Sequence, residues 1–439
     1  MKEIRKLEKP MLFLLLGVLL AHLGIYLVTP LLPIVLRTAG GLSIVQIGTV
    51  LATIAISFQT GSIMGGFLAD RIGRRFMIGL GAFVGGVGYS GFALFNSYWS
   101  FLFAAIIFGI GNGVYAPSTK AAIAALASKE NQTTAFSLRG IAANIGIVLA
   151  GLIVFFFLSG TSKTIFWIAA MIYFVLALES WLLVPKSCGN EPCPETPSGA
   201  IKEVFKNKPF LVFGAVGIFI WALYAQFSLA LPLRAAEILP DPKNVSLIWT
   251  INSCIVIFLQ GAVTTWIIKR LHPLTAMALG IGLIGFGIGS LYWANEFTHL
   301  VFSGAIFIVG EMLIMPTMDS TVSQLSRADL IGIFFALANV VSGLGEAGGK
   351  FVGGNLLEMG TRIKYLPWAV FSIGGLLLTF TIVFVLKRWK PLEIALHDAA
   401  TKPNSPKQAP KVNSGPIQHP SHPFSNWEPE VFLRKRRNT

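Results

Sequence analysis

Charged residues are scarce in this chain: Asp, Glu, Lys and Arg make up only 12% of its 439 residues, whereas 54% are hydrophobic. Soluble globular proteins carry about 25% charged residues, and a water-soluble core could not bury so much apolar side chain. The mean hydropathy of +0.70 agrees with this reasoning. We therefore expect much of the chain to be solvated by lipid, which excludes a soluble enzyme or binding module.

Cysteine is also scarce, since the chain contains only Cys188, Cys193 and Cys254, too few for a disulfide scaffold. We expect positions 188 and 193 to face the cytosol, where thiols stay reduced. The chain has no Walker loop, so we expect no ATP-driven step, no cofactor and no metal. Residues 343–348 spell Gly-x-Gly-x-x-Gly, but they lie within a long apolar run, which indicates helix packing rather than a dinucleotide site.

Long apolar runs are abundant. A spanning helix needs about 20 apolar residues, and a chain in lipid must satisfy its own backbone hydrogen bonds. We therefore predict an all-α membrane protein with twelve transmembrane helices in two six-helix repeats. The predicted spans are 11–36, 44–66, 76–95, 98–120, 133–157, 164–184, 209–232, 245–268, 273–294, 298–321, 330–357 and 365–386.

The distribution of Lys and Arg predicts the orientation of these spans. The net charge is +14, but the basic residues punctuate the apolar runs instead of forming one patch, which argues against a nucleic-acid partner. With both termini in the cytosol, the tails and the even-numbered connections hold 26 of the 34 basic residues. We predict a multi-pass protein of the plasma membrane with both termini cytoplasmic.

A repeat at a constant offset of 199 residues divides the chain into two halves. Pro33 matches Pro232 and Gly111 matches Gly310. The predicted organisation is a cytoplasmic N-tail (1–10), an N-terminal six-helix half (11–184), a cytoplasmic central loop (185–208), a C-terminal six-helix half (209–387) and a cytoplasmic, disordered C-tail (388–439). Parallel halves of this kind rock about a site near the midplane of the membrane.

The connection between the second and third runs carries a charged motif, "GGFLADRIGRR". Its spacing, Gly66-x-x-x-Asp70-Arg71-x-Gly73-Arg74-Arg75, resembles the signature loop of the major facilitator superfamily. The stretches "LALPLRAAE", "INSCIVIFLQG" and "GEMLIMP" resemble the multidrug-efflux, drug:proton antiporter-type group of that superfamily. The chain departs from the group's pattern at Ala105, where an arginine is common, and in "NIGIVLAGL", which lacks the group's Gly-Pro.

The resemblance implies that this loop is a conformational latch, which holds the outward-open state and breaks in the other state. A carboxylate such as Asp70 can bind the positive N-terminus of a neighbouring helix, and such a contact biases a two-state equilibrium. Alternatively, the arginines of the loop only anchor it in the cytosol. For Arg139, we expect a charge network with Asp70, and the alternative is that its side chain reaches the cytosol. The latch candidates are Gly66, Asp70, Arg71, Gly73, Arg74, Arg75 and Arg139.

Ionisable residues within spans are candidates for proton coupling, because they are costly in lipid. Glu311 lies near mid-depth in the tenth span, and its repeat partner is Asn112, which cannot titrate. Glu311 either exchanges a proton or stays neutral and joins helices. The four-residue spacing of Glu346 and Lys350 predicts an internal ion pair or a substrate or proton site. A lone mid-helix histidine is more often structural. The candidates are His22, Glu311, Glu346 and Lys350.

The resemblance implies a central cavity lined by the first, fourth, seventh and tenth helices. Aromatic and flexible apolar walls with few polar groups suit amphiphilic solutes. The alternative is that these side chains face lipid. The candidate cavity residues are Asn112, Tyr115, Trp221, Tyr224, Gln226 and Met315.

These expectations together favour a secondary active transporter rather than an enzyme. We expect proton-coupled export of a small amphiphilic solute by alternating access. An importer of a nutrient or metabolite on the same fold is the first alternative, and a lipid flippase or a non-transporting sensor is the second. The expected partners are the solute, protons and the bilayer, and the resemblance implies a monomer.

Overall fold

The computed structural model describes residues 9–126, 132–158, 162–185, 200–327 and 330–401. These residues are almost entirely helical, and none of them belongs to a β-strand. The α-helices are α1 (Lys9–Val28), α2 (Leu32–Thr38), α3 (Ile44–Ile72), α4 (Arg74–Leu94), α5 (Tyr98–Leu126), α6 (Gln132–Phe157), α7 (Thr164–Leu183), α8 (Ala200–Lys206), α9 (Lys208–Tyr224), α10 (Gln226–Ile238), α11 (Ser246–Ala262), α12 (Pro273–Gly289), α13 (Phe297–Leu325), α14 (Ile331–Met359), α15 (Leu366–Phe380) and α16 (Lys390–Thr401).

Eleven helical segments in these ranges are long and apolar enough to cross a membrane. Helix α14 is a further candidate: it has 29 residues, as many as α3, α5 and α13, and it carries Glu346 and Lys350 in an otherwise apolar stretch. At about 1.5 Å per residue, a helix of this length also spans a bilayer. With α14 the described chain has twelve such segments, which confirms the predicted fold class.

Two of the predicted spans are interrupted. The first divides into α1 and α2 around Pro30, which has no backbone N–H to continue the hydrogen-bond ladder. The seventh divides into α9 and α10 at Ala225. There, Gln226 Nε2 donates to the Ala222 carbonyl at 2.7 Å and to the Gly349 carbonyl of α14 at 2.8 Å. The amide thus satisfies backbone groups beside the break, as broken membrane helices require.

The two halves repeat the same helix crossing. A Cβ atom at Gly81 would lie 2.8 Å from the Gly111 carbonyl oxygen, and one at Gly280 would lie 2.8 Å from the Gly310 carbonyl oxygen. Neither distance leaves space for a side chain, so α4 approaches α5 as closely as α12 approaches α13. The glycines matched by the 199-residue offset therefore occupy equivalent places in the structure.

The halves meet mainly where α3 packs on α14, α6 on α11 and α2 on α10. Arg37 and Glu237 form an ion pair across this boundary at 3.8 Å. Glu358 Oε2, near the end of α14, accepts a hydrogen bond at 3.2 Å from the backbone N–H of Ile44, the first residue of α3. We call the end of the bundle that contains these contacts the closed end, and the opposite end, where α3 meets α4, the basic end.

The polar segments also contain helices. The segment predicted as the central loop ends in a short helix, α8. The tail was expected to be disordered from residue 388, which is wrong for residues 390–401, since they form α16. Leu392 and Leu396, one turn apart, are buried there. Residues 186–199, with Cys188 and Cys193, and residues 402–439 lie outside the described ranges.

Candidate functional site

A cavity of about 330 Å³ lies between the two halves. The N-terminal half lines it with α1 to α5, and the C-terminal half with α9, α10, α11 and α14. Both helix breaks reach its wall, since Thr29 and Ala225 line it. An aromatic wall with few polar groups suits a small amphiphilic molecule. The aromatic and polar lining residues are Tyr26, Thr29, Phe58, Tyr89, Phe108, Asn112, Tyr224, Phe227, Ser228, Trp249, Glu346 and Lys350.

An ion pair lies in the cavity wall on α14. Lys350 Nζ is 2.5 Å from Glu346 Oε1, one helical turn away, and Lys350 is only 7% exposed. A buried ammonium group requires such a partner, because removal from water is costly for an unpaired charge. The ion pair predicted from the four-residue spacing is therefore confirmed, and each of these groups neutralises the other.

Glu311 on α13 has a different kind of partner. The Tyr224 hydroxyl donates a hydrogen bond to Glu311 Oε2 at 3.1 Å, although the two residues are 87 positions apart. The Tyr224 ring is fixed by Trp221 and Phe307, with centroids at 5.3 and 5.4 Å. No residue that the structure describes forms an ion pair with Glu311. This carboxyl therefore lacks the fixed counter-ion that Glu346 has, and it can exchange a proton without leaving a cation unpaired.

Tyr26 brings the N-terminal half into the same region, because it is close enough to interact electrostatically with both carboxyls. Cavity and carboxyls thus form one site at the boundary of the halves. We call it the central polar cluster, and it consists of Tyr26, Tyr224, Glu311, Glu346 and Lys350.

The repeat partner of Glu311 shows what the N-terminal half has at the same place. Asn112 Oδ1 accepts a hydrogen bond at 2.5 Å from the Tyr173 hydroxyl, and both residues are buried. Each half thus places a phenol against the side chain at this position. Only the C-terminal half places a titratable group there.

His22 and Arg139 lie in the N-terminal half, outside the cavity wall. His22 Nδ1 is 2.8 Å from the Val18 carbonyl one turn earlier, a local contact of the structural kind. Arg139 Nε is buried without a hydrogen-bond partner. The predicted network between Arg139 and Asp70 stays a prediction, since the Asp70 side chain lies outside the described part of the chain.

The motif loop is described at the level of its backbone. Helix α3 continues through Asp70 and Arg71 to Ile72, so these residues end a helix as the latch prediction requires. Gly73 has φ +109°, a conformation that side chains rarely adopt, and α4 starts at the next residue. The loop is thus a one-residue turn, and the role of its charged side chains stays a prediction.

Two of the six residues predicted to line the cavity do so, namely Asn112 and Tyr224. A helix turns only part of its circumference toward a cavity, and periodicity cannot identify that part when all faces are apolar. For the same reason, Tyr26, Phe227 and Trp249 could not be identified as cavity residues from the sequence. The residues that do not line this cavity are Tyr115, Trp221, Gln226 and Met315.

The sequence reasoning also missed a buried carboxyl, Glu179 on α7, which is 9% exposed. It stands in "ALESWLL", close to a predicted helix end, where a glutamate would normally reach water. Among the described residues, no group of three or more His, Cys, Asp and Glu side chains could hold a metal ion.

Comparisons with known proteins agree with one another. The family model described as Major Facilitator Superfamily matches residues 14–350. The uncharacterized MFS-type transporter YqjV of Bacillus subtilis is 26% identical over 353 residues, which cover 79% of this chain and 86% of the relative. The multidrug resistance protein MdtH of Salmonella typhimurium is 25% identical over 384 residues, which cover 86% of this chain and 93% of the relative.

Solved structures with the same fold include two transporters. The nucleoside transporter NupG superimposes with a TM-score of 0.75 at 15% identity, covering 85% of this chain and 98% of its own. The POT family transporter PepTSo superimposes with a TM-score of 0.74 at 14% identity, covering 91% of this chain and 99% of its own. At these identities the likeness shows the fold alone.

Proposed function

The chain belongs to the Major Facilitator Superfamily, and on that premise we propose that it is a secondary transporter that exports a small amphiphilic solute in exchange for protons. The two halves rock about the cavity between them, so that it opens to one side of the membrane at a time. The solute is moved and not chemically changed. The transporter acts as a monomer in the plasma membrane.

The contacts at the closed end support an inward-facing state. The bias of Lys and Arg assigns the basic end to the cytosol and both termini with it. The closed end, where Glu358 binds the first N–H of α3, then faces outward. At the basic end, the repeat-related residues Lys120 and Asp319 attract each other without forming a direct ion pair. The latch at Asp70 belongs to the opposite, outward-open state.

The observation that carries the proton coupling is the hydrogen bond from Tyr224 to Glu311 beside the cavity. Glu346 has a fixed counter-ion in Lys350 at 2.5 Å, whereas Glu311 has a neutral donor. Glu311 is therefore the carboxyl that can gain and lose a proton as the cavity changes sides. The solute and the proton both bind in this region, and binding of one excludes the other. Their movements across the membrane are therefore coupled.

The cavity wall supports an amphiphilic solute. Rings of Phe58, Phe108, Phe227 and Trp249 provide flat apolar surfaces, which stack on aromatic solutes and on cations. A volume of about 330 Å³ is at the low end for a small-molecule site. A relative with 25% identity is named a multidrug resistance protein, which agrees with this choice of solute.

One observation favours an importer as the second candidate. The Glu346–Lys350 pair lies in the cavity wall, and a zwitterionic nutrient carries the same two charges. Such a solute could exchange partners with the pair at little electrostatic cost. We rank the exporter above the importer because Glu346 and Lys350 already neutralise each other, and because the greater part of the cavity wall is apolar.

Transport by the purified protein in proteoliposomes with an imposed pH gradient tests this proposal. We expect a lipophilic cation such as ethidium to move against the proton flux, and a zwitterionic dipeptide not to compete. Liposomes without protein and liposomes without a gradient are the controls. Gradient-driven uptake of the dipeptide, with no movement of ethidium, would replace the exporter by the importer.

A further inference from the structure

Six side-chain atoms in the described part of the chain are buried without a hydrogen-bond partner, and three of them belong to helices of the N-terminal half that pack on α1. They are Glu179 Oε1 on α7, the Tyr115 hydroxyl on α5 and Arg139 Nε on α6. Buried polar atoms are nearly always paired in native proteins. We infer that Glu179 is a second proton-binding carboxyl of this transporter, and that Arg139 becomes its counter-ion once the proton has left.

The geometry places Glu179 and Tyr115 side by side against α1. A Cβ atom at Gly17 would lie 3.3 Å from Glu179 Oε2 and 3.7 Å from the Tyr115 hydroxyl. Glycine at this position thus leaves room for the two groups to approach each other. Tyr115 interacts electrostatically with Glu179 and also with Arg139. The phenol therefore interacts both with the residue that has the unpaired acceptor and with the residue that has the unpaired donor.

The hydrogen-bond inventory indicates that Glu179 holds a proton in this conformation. Among the residues that the structure describes, the only hydrogen-bond partner of this carboxyl is the Ser180 hydroxyl, 3.4 Å from Oε2. A serine hydroxyl has one hydrogen, and that of Ser180 is directed to the Leu176 carbonyl at 2.8 Å. No donor is left for Oε1. A carboxylate in this place would be buried, uncompensated and almost without hydrogen bonds, whereas a protonated carboxyl carries no charge.

The helices packed around Glu179 supply cations but no ion pair in this conformation. Helix α7 packs on α4 and α1, and Tyr115 of α5 completes the wall. None of the charged groups in the described part of the chain is within ion-pair distance of Glu179. The titratable and charged groups of the region are His22 on α1, Tyr115 and Lys120 on α5, and Arg139 on α6. Helix α4, which packs on α7, carries Arg74 and Arg75 in its first turn.

The proton exchange follows from the unpaired atoms. When α6 and α7 shift, the O–H bond of Glu179 breaks, the proton passes to water at the nearby basic end, and the Arg139 guanidinium, which stays protonated, neutralises the carboxylate. The assignment of this proton to the transport cycle rests on the proposed function, but proton binding at Glu179 does not. Each half would then have one proton site, Glu179 in the first and Glu311 in the second.

Infrared difference spectra of the full-length protein, recorded between acid and alkaline pH, test the proton site directly. We expect two bands of protonated carboxyl groups, one lost in Glu179→Gln and the other lost in Glu311→Gln. Glutamine mimics the neutral acid, so the fold is retained. Tyr115→Phe should shift the Glu179 band without removing it. Glu296→Gln, an exposed carboxyl on the loop before α13, is the matched control and should leave both bands unchanged.

The number of protons exchanged per solute, measured with a pH dye in weakly buffered proteoliposomes, tests the part in transport. Glu179→Gln should lower this number twofold. No band change in Glu179→Gln would overturn the proton site. A lost band with an unchanged proton number would show that Glu179 titrates outside the transport cycle, which overturns its part in transport. Absence of any transport alongside a lost band would overturn the proposed function and leave the proton site in place.

Discussion

In the C-terminal half, a tyrosine donates its phenol to a carboxyl group, whereas at the repeat-related position of the N-terminal half a tyrosine donates to an amide. The bond from Tyr224 to Glu311 measures 3.1 Å and that from Tyr173 to Asn112 measures 2.5 Å. The halves share glycine crossings and helix order, so the same scaffold carries two different chemistries. The shared residues thus build the fold, and the residues in which the halves differ are the candidates for proton coupling.

The ion pair on α14 is the largest difference between the two halves, because the repeat positions of Glu346 and Lys350 in the first half are the uncharged Ile147 and Gly151. Lys350→Met should lower the free energy of unfolding by about 3 kcal/mol, since it leaves a partly buried carboxylate unpaired. Thermal unfolding in detergent measures this loss. The double variant with Glu346→Gln should recover most of it, and a single variant as stable as the parent would contradict a charged pair.

The closed end joins the halves asymmetrically, with a carboxylate from the second half and a helix N-terminus from the first. Glu358→Gln removes the charge that binds the N–H of Ile44. Such a contact contributes about 1–2 kcal/mol, so the ratio of inward-facing to outward-facing protein should fall about tenfold. Distances between spin labels across the closed end report this ratio. Glu296→Gln, an exposed carboxyl, is the control, and equal shifts in both variants would show that the contact is not specific.

The two tyrosines provide the finest comparison. Tyr224→Phe and Tyr173→Phe each remove one hydrogen bond, which costs about 1 kcal/mol of stability. Only Tyr224→Phe removes a donor to a titratable group. We therefore expect it to displace the pH midpoint of solute-driven proton release, and Tyr173→Phe to leave the midpoint unchanged. Displacement by both variants would mean that the N-terminal half titrates at this position through another group.

Much of the fold could be predicted from the sequence, because lipid imposes simple rules. Continuous apolar runs can only be helices, and the 199-residue offset revealed the two halves before any contact was known. The Glu346–Lys350 pair followed from its spacing on one helix. The helix breaks at Pro30 and Ala225 were not predicted: the first follows from a proline, but the second depends on a distant contact from Gln226 to α14.

The candidate site was less predictable, because its contacts join distant parts of the chain. Nothing local to Tyr224 indicates that its hydroxyl reaches Glu311, and the face of α5 that carries Asn112 cannot be told from the face that carries Tyr115. Glu179 was not predicted, because a glutamate so close to a helix end is expected to be exposed to water. Tertiary packing, not local pattern, buries this carboxyl.

The most direct test of the account is transport by Glu311→Gln, measured in two ways on the same proteoliposomes. Solute-for-solute exchange without a gradient requires the cavity and the rocking motion but no proton, whereas gradient-driven transport requires all three. We predict that the variant retains exchange and loses at least tenfold in gradient-driven transport, because the solute alternates with the proton of Glu311. Gradient-driven transport at the rate of the unchanged protein would show that Glu311 is only a structural hydrogen-bond partner of Tyr224, and would contradict the assignment of coupling to Glu311.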